Sequence, residues 1–184
     1  LPATGAPAVP PGLPHVDLLR LRDRLEPAER ARLDAIEDHL QTRVRPHLTR
    51  YWDAEEFAFD LLPGLAELGL GRLVLDGSSS LFQQLVHAEI ARVDLSLSAL
   101  VGIHNELNLG MIAGLGSERQ KATWQGRLES FDALGAFCLT EPDHGSDIAG
   151  GLATTATRDG DEWVIRGAKP VSYTHLRAHE TKAN

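Results

Sequence analysis

One short stretch holds most of the chemistry this sequence can do: Ala136–Asp147, read AFCLTEPDHGSD, with Thr140, Glu141, Asp143, His144, Gly145, Ser146 and Asp147 in close succession. Thr140 can donate and accept a hydrogen bond at the end of the apolar run Ala136, Phe137, Cys138 and Leu139. Pro142 stiffens the backbone and removes one N–H. Gly145 lets a ligand approach the chain closely or takes a positive φ. The Gly145 and Ser146 N–H groups, with the Ser146 hydroxyl, suit a phosphate or carbonyl oxygen. Asp147 is expected to pin the loop through backbone N–H groups. On residue types alone two readings stay open: a cradle for a phosphorylated or heteroaromatic ligand, and a well-capped surface turn.

Other reactive residue types are given plainer roles. Asp143, His144 and Asp147 have no recognisable metal-ligand spacing, and no metal is expected. Cys138, on what reads as an apolar strand, is expected to be a small buried hydrophobe. His104 reads as a hydrogen-bonded core residue, with an acyl-pocket role as the alternative. Trp52, Trp124 and Trp163 read as packing residues.

The elements that must position the loop follow from composition and period. The chain has 184 residues, 42% hydrophobic, with a formal net charge of -8. That is enough for a domain with a core, and the acidic balance disfavours nucleic acid and anionic membranes. Apolar stretches fall short of the roughly 18 residues of a membrane span, and no signal peptide is read at the start. With one cysteine no intrachain disulfide forms, and a reducing, cytoplasmic location is expected.

Residues 1–15 form a Pro- and Ala-rich leader, expected to be flexible; its LPATG resembles a sortase signal but lies at the wrong end of the chain. Residues 16–132 read as a helical domain. Leu18, Leu21 and Leu25 suggest a helix from near Val16. Pro27 suits the first turn of the next, whose face is Leu33, Ile36, Leu40 and Val44 and whose end is expected at Pro46. Asp53 with Glu56, Ser80 with Gln83, and Ser117 with Gln120 have capping-box spacing. A helix from Leu81 to about Val93 is expected to bury Leu81, Leu85, Ala88 and Val93. Asp94 or Ser96 should cap the most apolar helix, which carries Leu97, Leu100, Val101, His104, Leu107, Met111, Ile112 and Leu115 and is therefore placed centrally. Gly116 ends it.

Residues 133–170 then read as the first strands of a β-domain. Leu134–Leu139 is one strand, Leu152–Arg158 a second, and Glu162–Arg166 returns after the Asp159-Gly160-Asp161 turn. At least three strands are expected. The fold class is α+β: an all-α bundle followed by the beginning of a β-barrel-like domain. Residues 171–184 resemble translated adaptor sequence and are read as a non-native tail.

TEPDHGSD resembles the T-E-P-x-x-G-S-D signature of the acyl-CoA dehydrogenase family. ELGLGRL, ARVDLSLSAL, GSERQK and GDEWVIRGAK also look like family segments, so the resemblance covers about residues 17–169. It implies FAD as cofactor, with residues 133–170 opening the FAD-binding domain. Thr140 would hydrogen-bond the flavin near N5 or O4, and the backbone at Phe137 and Leu139 would line it. Gly145 and Ser146 would face the pyrophosphate and the thioester region, which makes Ser146 substrate-binding as well. The implied reaction is α,β-dehydrogenation of an acyl-CoA. A carboxylate removes the α-proton, and the β-hydrogen leaves as hydride to flavin N5. Electrons pass on to an electron-transfer flavoprotein, and the implied assembly is a homotetramer or homodimer.

Departures qualify what is implied. Pro170 and Val171 stand where the family's flavin-packing Trp should follow Lys169, and Tyr173 replaces the Thr or Ser beyond it. The family's catalytic Glu belongs to a C-terminal helical domain, so no base is assigned in this chain and the chain alone is expected to be inactive. Asp76-Gly77-Ser78-Ser79-Ser80 replaces a more Gly-rich loop. ARVDLSLSAL looks nearest the glutaryl-CoA dehydrogenase branch, but Ser98 stands where an Arg would meet a distal carboxylate. An uncharged short or medium acyl chain is therefore expected. The alternatives are a non-catalytic helical acyl-CoA-binding or interaction module, and an oxidase that uses O2.

Overall fold

The computed structural model describes residues 17–145 and 147–170. The leader, the 171–184 tail and Ser146 lie outside the described residues. Two compact units divide between Ala136 and Phe137. The first is helical; the second holds an antiparallel pair of strands. This is the α+β order expected.

The first unit opens differently from the sequence expectation. Instead of a helix from Val16 there is one 3-10 turn, Leu21–Arg24, and Leu18 and Leu19 are exposed. The cause is Asp17, whose carboxylate takes the Leu21 and Arg22 N–H groups and so competes with helical bonding. Helix α1 (Pro27–His39) then starts with its proline in the first turn, as expected. It does not stop at Pro46. A π turn, Leu40–Val44, leads into α2 (Arg45–Ala54). In that turn the Arg45 N–H reaches back five residues to the Leu40 carbonyl. The shift in register just ahead of Pro46 lets a residue with no N–H sit in a continuing helix. Asp53 lies inside α2 rather than capping a new helix, and Glu55 ends α2 with φ 54. Helix α3 (Leu62–Glu67) exits through Gly69 at φ 75 into a 3-10 segment, Leu70–Leu75.

Helix α4 (Ser80–Val93) is capped by Ser79, one residue earlier than expected. The Ser79 hydroxyl accepts from the Phe82 N–H, and Gln83 turns away to the Leu73 and Ser78 carbonyls. The buried face moves with the cap: Phe82, Val86, Glu89 and Ile90 are inside, Leu85 and Val93 half-buried, and Ala88 exposed. Asp94 caps α5 (Leu95–Gly102) through the Leu97 N–H. A π segment, Ile103–Leu109, joins it to α6 (Gly110–Leu115). This run is not buried all round. Leu97, Val101, His104, Asn105 and Leu109 face inward, while Ile103, Leu107, Met111 and Leu115 are exposed. Helix α7 (Glu118–Glu129) has the full capping box of Ser117 and Gln120.

The core of this unit joins α1, the π turn, α3, α4 and α5 through Leu33, Ile36, Leu40, Val44, Leu65, Phe82, Ile90 and Val101, all at 0% exposure. Each such side chain contributes about 1.5–3 kcal/mol of burial. Two polar features the sequence did not reveal lie within it. Arg22, nearly buried, pairs with Glu37 at 2.8 Å and Glu89 at 3.2 Å, tying the opening turn to α1 and α4. Asn105, 1% exposed, donates to the Leu70 and Val101 carbonyls and accepts from the Val74 N–H. It supplies partners where the 3-10 segment and the π segment leave backbone groups without regular ones.

In the second unit a four-residue helix α8 (Ile148–Gly151) precedes β1 (Thr155–Asp159) and β2 (Glu162–Arg166). The strands pair in register from Thr155 opposite Arg166 to Asp159 opposite Glu162, turning through Gly160 at φ 60. The third expected strand is absent among the described residues: 134–139 pairs with no strand. Without a paired strand to cover it, Cys138 is exposed, not buried. Trp52 and Trp163 are more than half exposed and Trp124 is 42% exposed, so none is the packing residue expected.

Candidate functional site

The signature loop folds on itself first. The Glu141 N–H donates to the His144 carbonyl at 2.8 Å, and the His144 N–H to the Glu141 carbonyl at 3.1 Å. Pro142 and Asp143 span the tight turn between them, where a fixed proline φ is favourable. Thr140, immediately before this turn, is half-buried.

Glu141 holds the loop to the rest of its unit. It is 4% exposed. Its carboxylate accepts from the Ala153 N–H at 2.6 Å, the Thr154 N–H at 2.9 Å and the Lys169 ammonium at 2.8 Å. Lys169 donates also to the Leu139 carbonyl at 3.0 Å. Lys169 foremost, then Thr154 and the Ala153 N–H, hold the Glu141 carboxyl well below the usual carboxylate range.

His144 and Asp147 form a second, exposed pair, Nδ1 to Oδ2 at 2.8 Å. Each stabilises the charged form of the other, so the imidazole is held above its ordinary value and the carboxyl below. Asp147 meets the His144 ring and makes no side-chain cap on α8, while its carboxylate also accepts from backbone N–H groups of the loop, at Gly145 and at its own position, as expected.

Phe137 is 41% exposed and Leu139 half-buried. Gly145 is exposed, its φ is not in the left-handed region, and among the described residues no atom beyond its chain neighbours lies within 4 Å of where a Cβ would stand. Its freedom is thus one of space at the end of the Glu141–His144 turn. Ser146 lies outside the described residues. Cys138 is exposed on the same stretch. Among the described residues no group of three His, Cys, Asp or Glu side chains could hold a metal ion.

In the helical unit, His104 is a core residue: 2% exposed, Nε2 at 2.8 Å from the Leu128 carbonyl, its ring 4.8 Å from that of Phe131. Burial pushes its pKa down, so it packs as a neutral ring. Ser98 on α5 donates its hydroxyl to the His87 carbonyl at 3.1 Å.

With helices, loop and hairpin in that order, relatives sharpen the reading. Residues 26–132 match the family described as acyl-CoA dehydrogenase, N-terminal domain. The chain belongs to the acyl-CoA dehydrogenase family. It is 36% identical over 139 residues to a mitochondrial isobutyryl-CoA dehydrogenase of Dictyostelium discoideum, covering 72% of this chain and 33% of that protein. It is 38% identical over 109 residues to the human mitochondrial short-chain specific acyl-CoA dehydrogenase, covering 55% and 26%. A Mycobacterium smegmatis glutaryl-CoA dehydrogenase, solved in complex with FADH2, superposes with a TM-score of 0.74 at 30% identity, over 82% of this chain and 40% of that one. The chain thus spans about a third or less of the curated dehydrogenases it matches.

The sequence did not point to Lys169 as the partner of Glu141. It lies 28 residues beyond Glu141. No local spacing rule links a lysine after a hairpin to a carboxylate before it, and only the folded hairpin brings them together.

Proposed function

We propose that this chain carries one wall of the cofactor site of an FAD-dependent acyl-CoA dehydrogenase acting on an uncharged short or medium acyl chain. The observation that carries the reading is the signature loop: Thr140 half-buried, then the stapled Glu141–His144 turn, then Gly145 with no described atom beyond its chain neighbours within 4 Å of a Cβ position. Such an open backbone face admits an extended cofactor that carries phosphates, and a protein of 30% identity was solved with FADH2.

A bound flavin would supply the acceptor for the hydride leaving the acyl β-carbon. The chain's residues bind and orient. Thr140 offers a hydroxyl to the polar edge of the ring, the backbone at Phe137 and Leu139 lines it, and Gly145 with Ser146 faces the pyrophosphate and thioester. Glu141 is not the proton acceptor. With three donors on its carboxylate and a depressed pKa it has little basicity left. The base comes from outside this loop, and the electrons go on to an electron-transfer flavoprotein. Ser98, hydrogen-bonded to the His87 carbonyl, brings no positive charge to meet a distal carboxylate, which supports an uncharged acyl group.

The test titrates the purified chain with FAD, following quenching of flavin fluorescence, and then adds acyl-CoAs with an artificial electron acceptor. FAD binding without acyl-CoA-dependent reduction is expected. Failure to bind FAD overturns the cofactor reading, and turnover by this chain alone overturns the assignment of the base to another part of the protein.

A further inference from the structure

We infer that Lys169 is a positioning residue for Thr140, clamping the chain on both sides of it. The inference rests on the flavin reading above and adds a residue to it. The ammonium of Lys169 donates to the Leu139 carbonyl at 3.0 Å and to the Glu141 carboxylate at 2.8 Å. These are the residues directly before and after Thr140. One cation therefore holds the backbone entering Thr140 and the side chain leaving it. Glu141 is anchored in turn by the Ala153 and Thr154 N–H groups at the entry to β1, and its backbone closes the turn with His144. The result is a closed circuit from Leu139 through Glu141 to residues 153–154 and back by way of Lys169.

A threonine hydroxyl on a loop finds a ligand only if its backbone is held within a fraction of an ångström. No apolar packing does this here: Glu141 is the one buried side chain among the described residues of this unit. The clamp is polar, and a hydrogen bond to a charged group is worth more than a neutral one. Lys169 is about one-quarter exposed, so water competes with it only in part. It touches no ligand itself and acts through Thr140.

The experiment compares the full chain with Lys169→Met, Thr140→Val and the double variant. FAD affinity, the visible absorption band of bound flavin and amide hydrogen exchange are measured for each. Lys169→Met is expected to weaken FAD binding about tenfold, the size of one charge-assisted hydrogen bond. It should shift the flavin band as Thr140→Val does. The double variant should lose no more than the worse single one. Exchange at the Glu141, His144, Ala153 and Thr154 amides should quicken in Lys169→Met, while the β1–β2 amides and the helical signal stay as they were. Losses that multiply in the double variant, to about a hundredfold, would make the two residues independent and overturn the inference. So would unchanged exchange at Glu141 and His144. If the unaltered chain takes up no FAD, the flavin reading fails by itself and the exchange rates still decide the clamp. Should Lys169→Met not fold, Lys169→Arg serves instead. It keeps a charge for Glu141 but replaces the bridging ammonium with a planar fork, and the same non-additivity is expected of it.

Discussion

The two units of this chain hold their shape by opposite means. The helical unit buries a continuous set of aliphatic and aromatic side chains, among them Leu33, Leu40, Leu65, Phe82 and Ile90, at 0% exposure. The unit from Phe137 onward buries a single described side chain, and that one is a carboxylate. Both strands of its hairpin are exposed along almost their whole length, with Trp163 66% and Ile165 73% exposed. Apolar burial is non-directional and tolerates repacking, whereas a carboxylate with three donors fixes distances and angles. The first suits a scaffold; the second suits a loop whose backbone geometry is fixed by a few directional contacts.

The comparison breaks most visibly in the scaffold. Phe82 lies at the centre of the core with the Arg32 guanidinium 5.0 Å above its ring. Phe82→Ala should lower the stability of the helical unit by about 3–5 kcal/mol. Chemical denaturation followed by far-ultraviolet circular dichroism reads this directly. A loss below 1 kcal/mol would mean the core is not the continuous one described.

A smaller effect is expected where the scaffold itself relies on polar contacts. Asn105→Leu keeps the volume but leaves the Leu70 and Val101 carbonyls and the Val74 N–H without this partner. A cost of about 1–3 kcal/mol follows from leaving such buried groups unsatisfied. Exchange should quicken first at the Val74 amide. An unchanged rate there would show that Asn105 only fills space.

How far the sequence revealed each unit follows the same division. Leu33, Ile36, Leu40 and Val44 read as one buried face, and all are at 0% exposure, because helical period and apolarity are local signals. The Ser117 cap, the Asp94 cap, the Gly116 stop and the Gly160 turn were legible for the same reason. Pro46 misled because a proline predicts a break, whereas the π turn ahead of it absorbs the missing N–H. Ser80 misled because adjacent serines are equivalent in sequence, and only the contact of Ser79 with Glu29 chooses between them. The loop was visible as an ordered set of residue types. Its fastening was not, since Lys169, Ala153 and Thr154 are each more than ten residues from Glu141.

Acid should separate the units. The Glu141 carboxyl is depressed in the folded chain, so its contribution is full above the unfolded value, near pH 4.3, and is lost as pH falls further. Between about pH 4 and pH 2, exchange at the Ala153 and Thr154 amides, corrected for intrinsic rates, should rise before the helical signal changes. Glu141→Gln should remove that pH dependence. Simultaneous loss of both signals would show that the carboxylate is not what distinguishes the two units.

The smallest effect belongs to the exposed His144–Asp147 pair. The imidazole is raised chiefly by the hydrogen bond it donates to Asp147, with Glu141 and Asp143 adding to the negative field. A raised histidine stabilises the fold most below its unfolded value, near pH 6.5, and loses that contribution as pH rises through the folded value. Asp147→Asn keeps the shape and removes the charge. It should move the His144 titration, followed by proton magnetic resonance of the ring, back toward pH 6.5. The thermal midpoint of the helical unit should stay where it was, since an exposed, solvent-screened pair contributes little to stability. The variant also asks whether the loop depends on this pair or on the buried carboxylate. If Asp147→Asn speeds exchange at the Glu141 and His144 amides as much as Lys169→Met does, the exposed pair shares in holding the turn. If those amides stay protected, the shape of the loop rests on the contacts of Glu141.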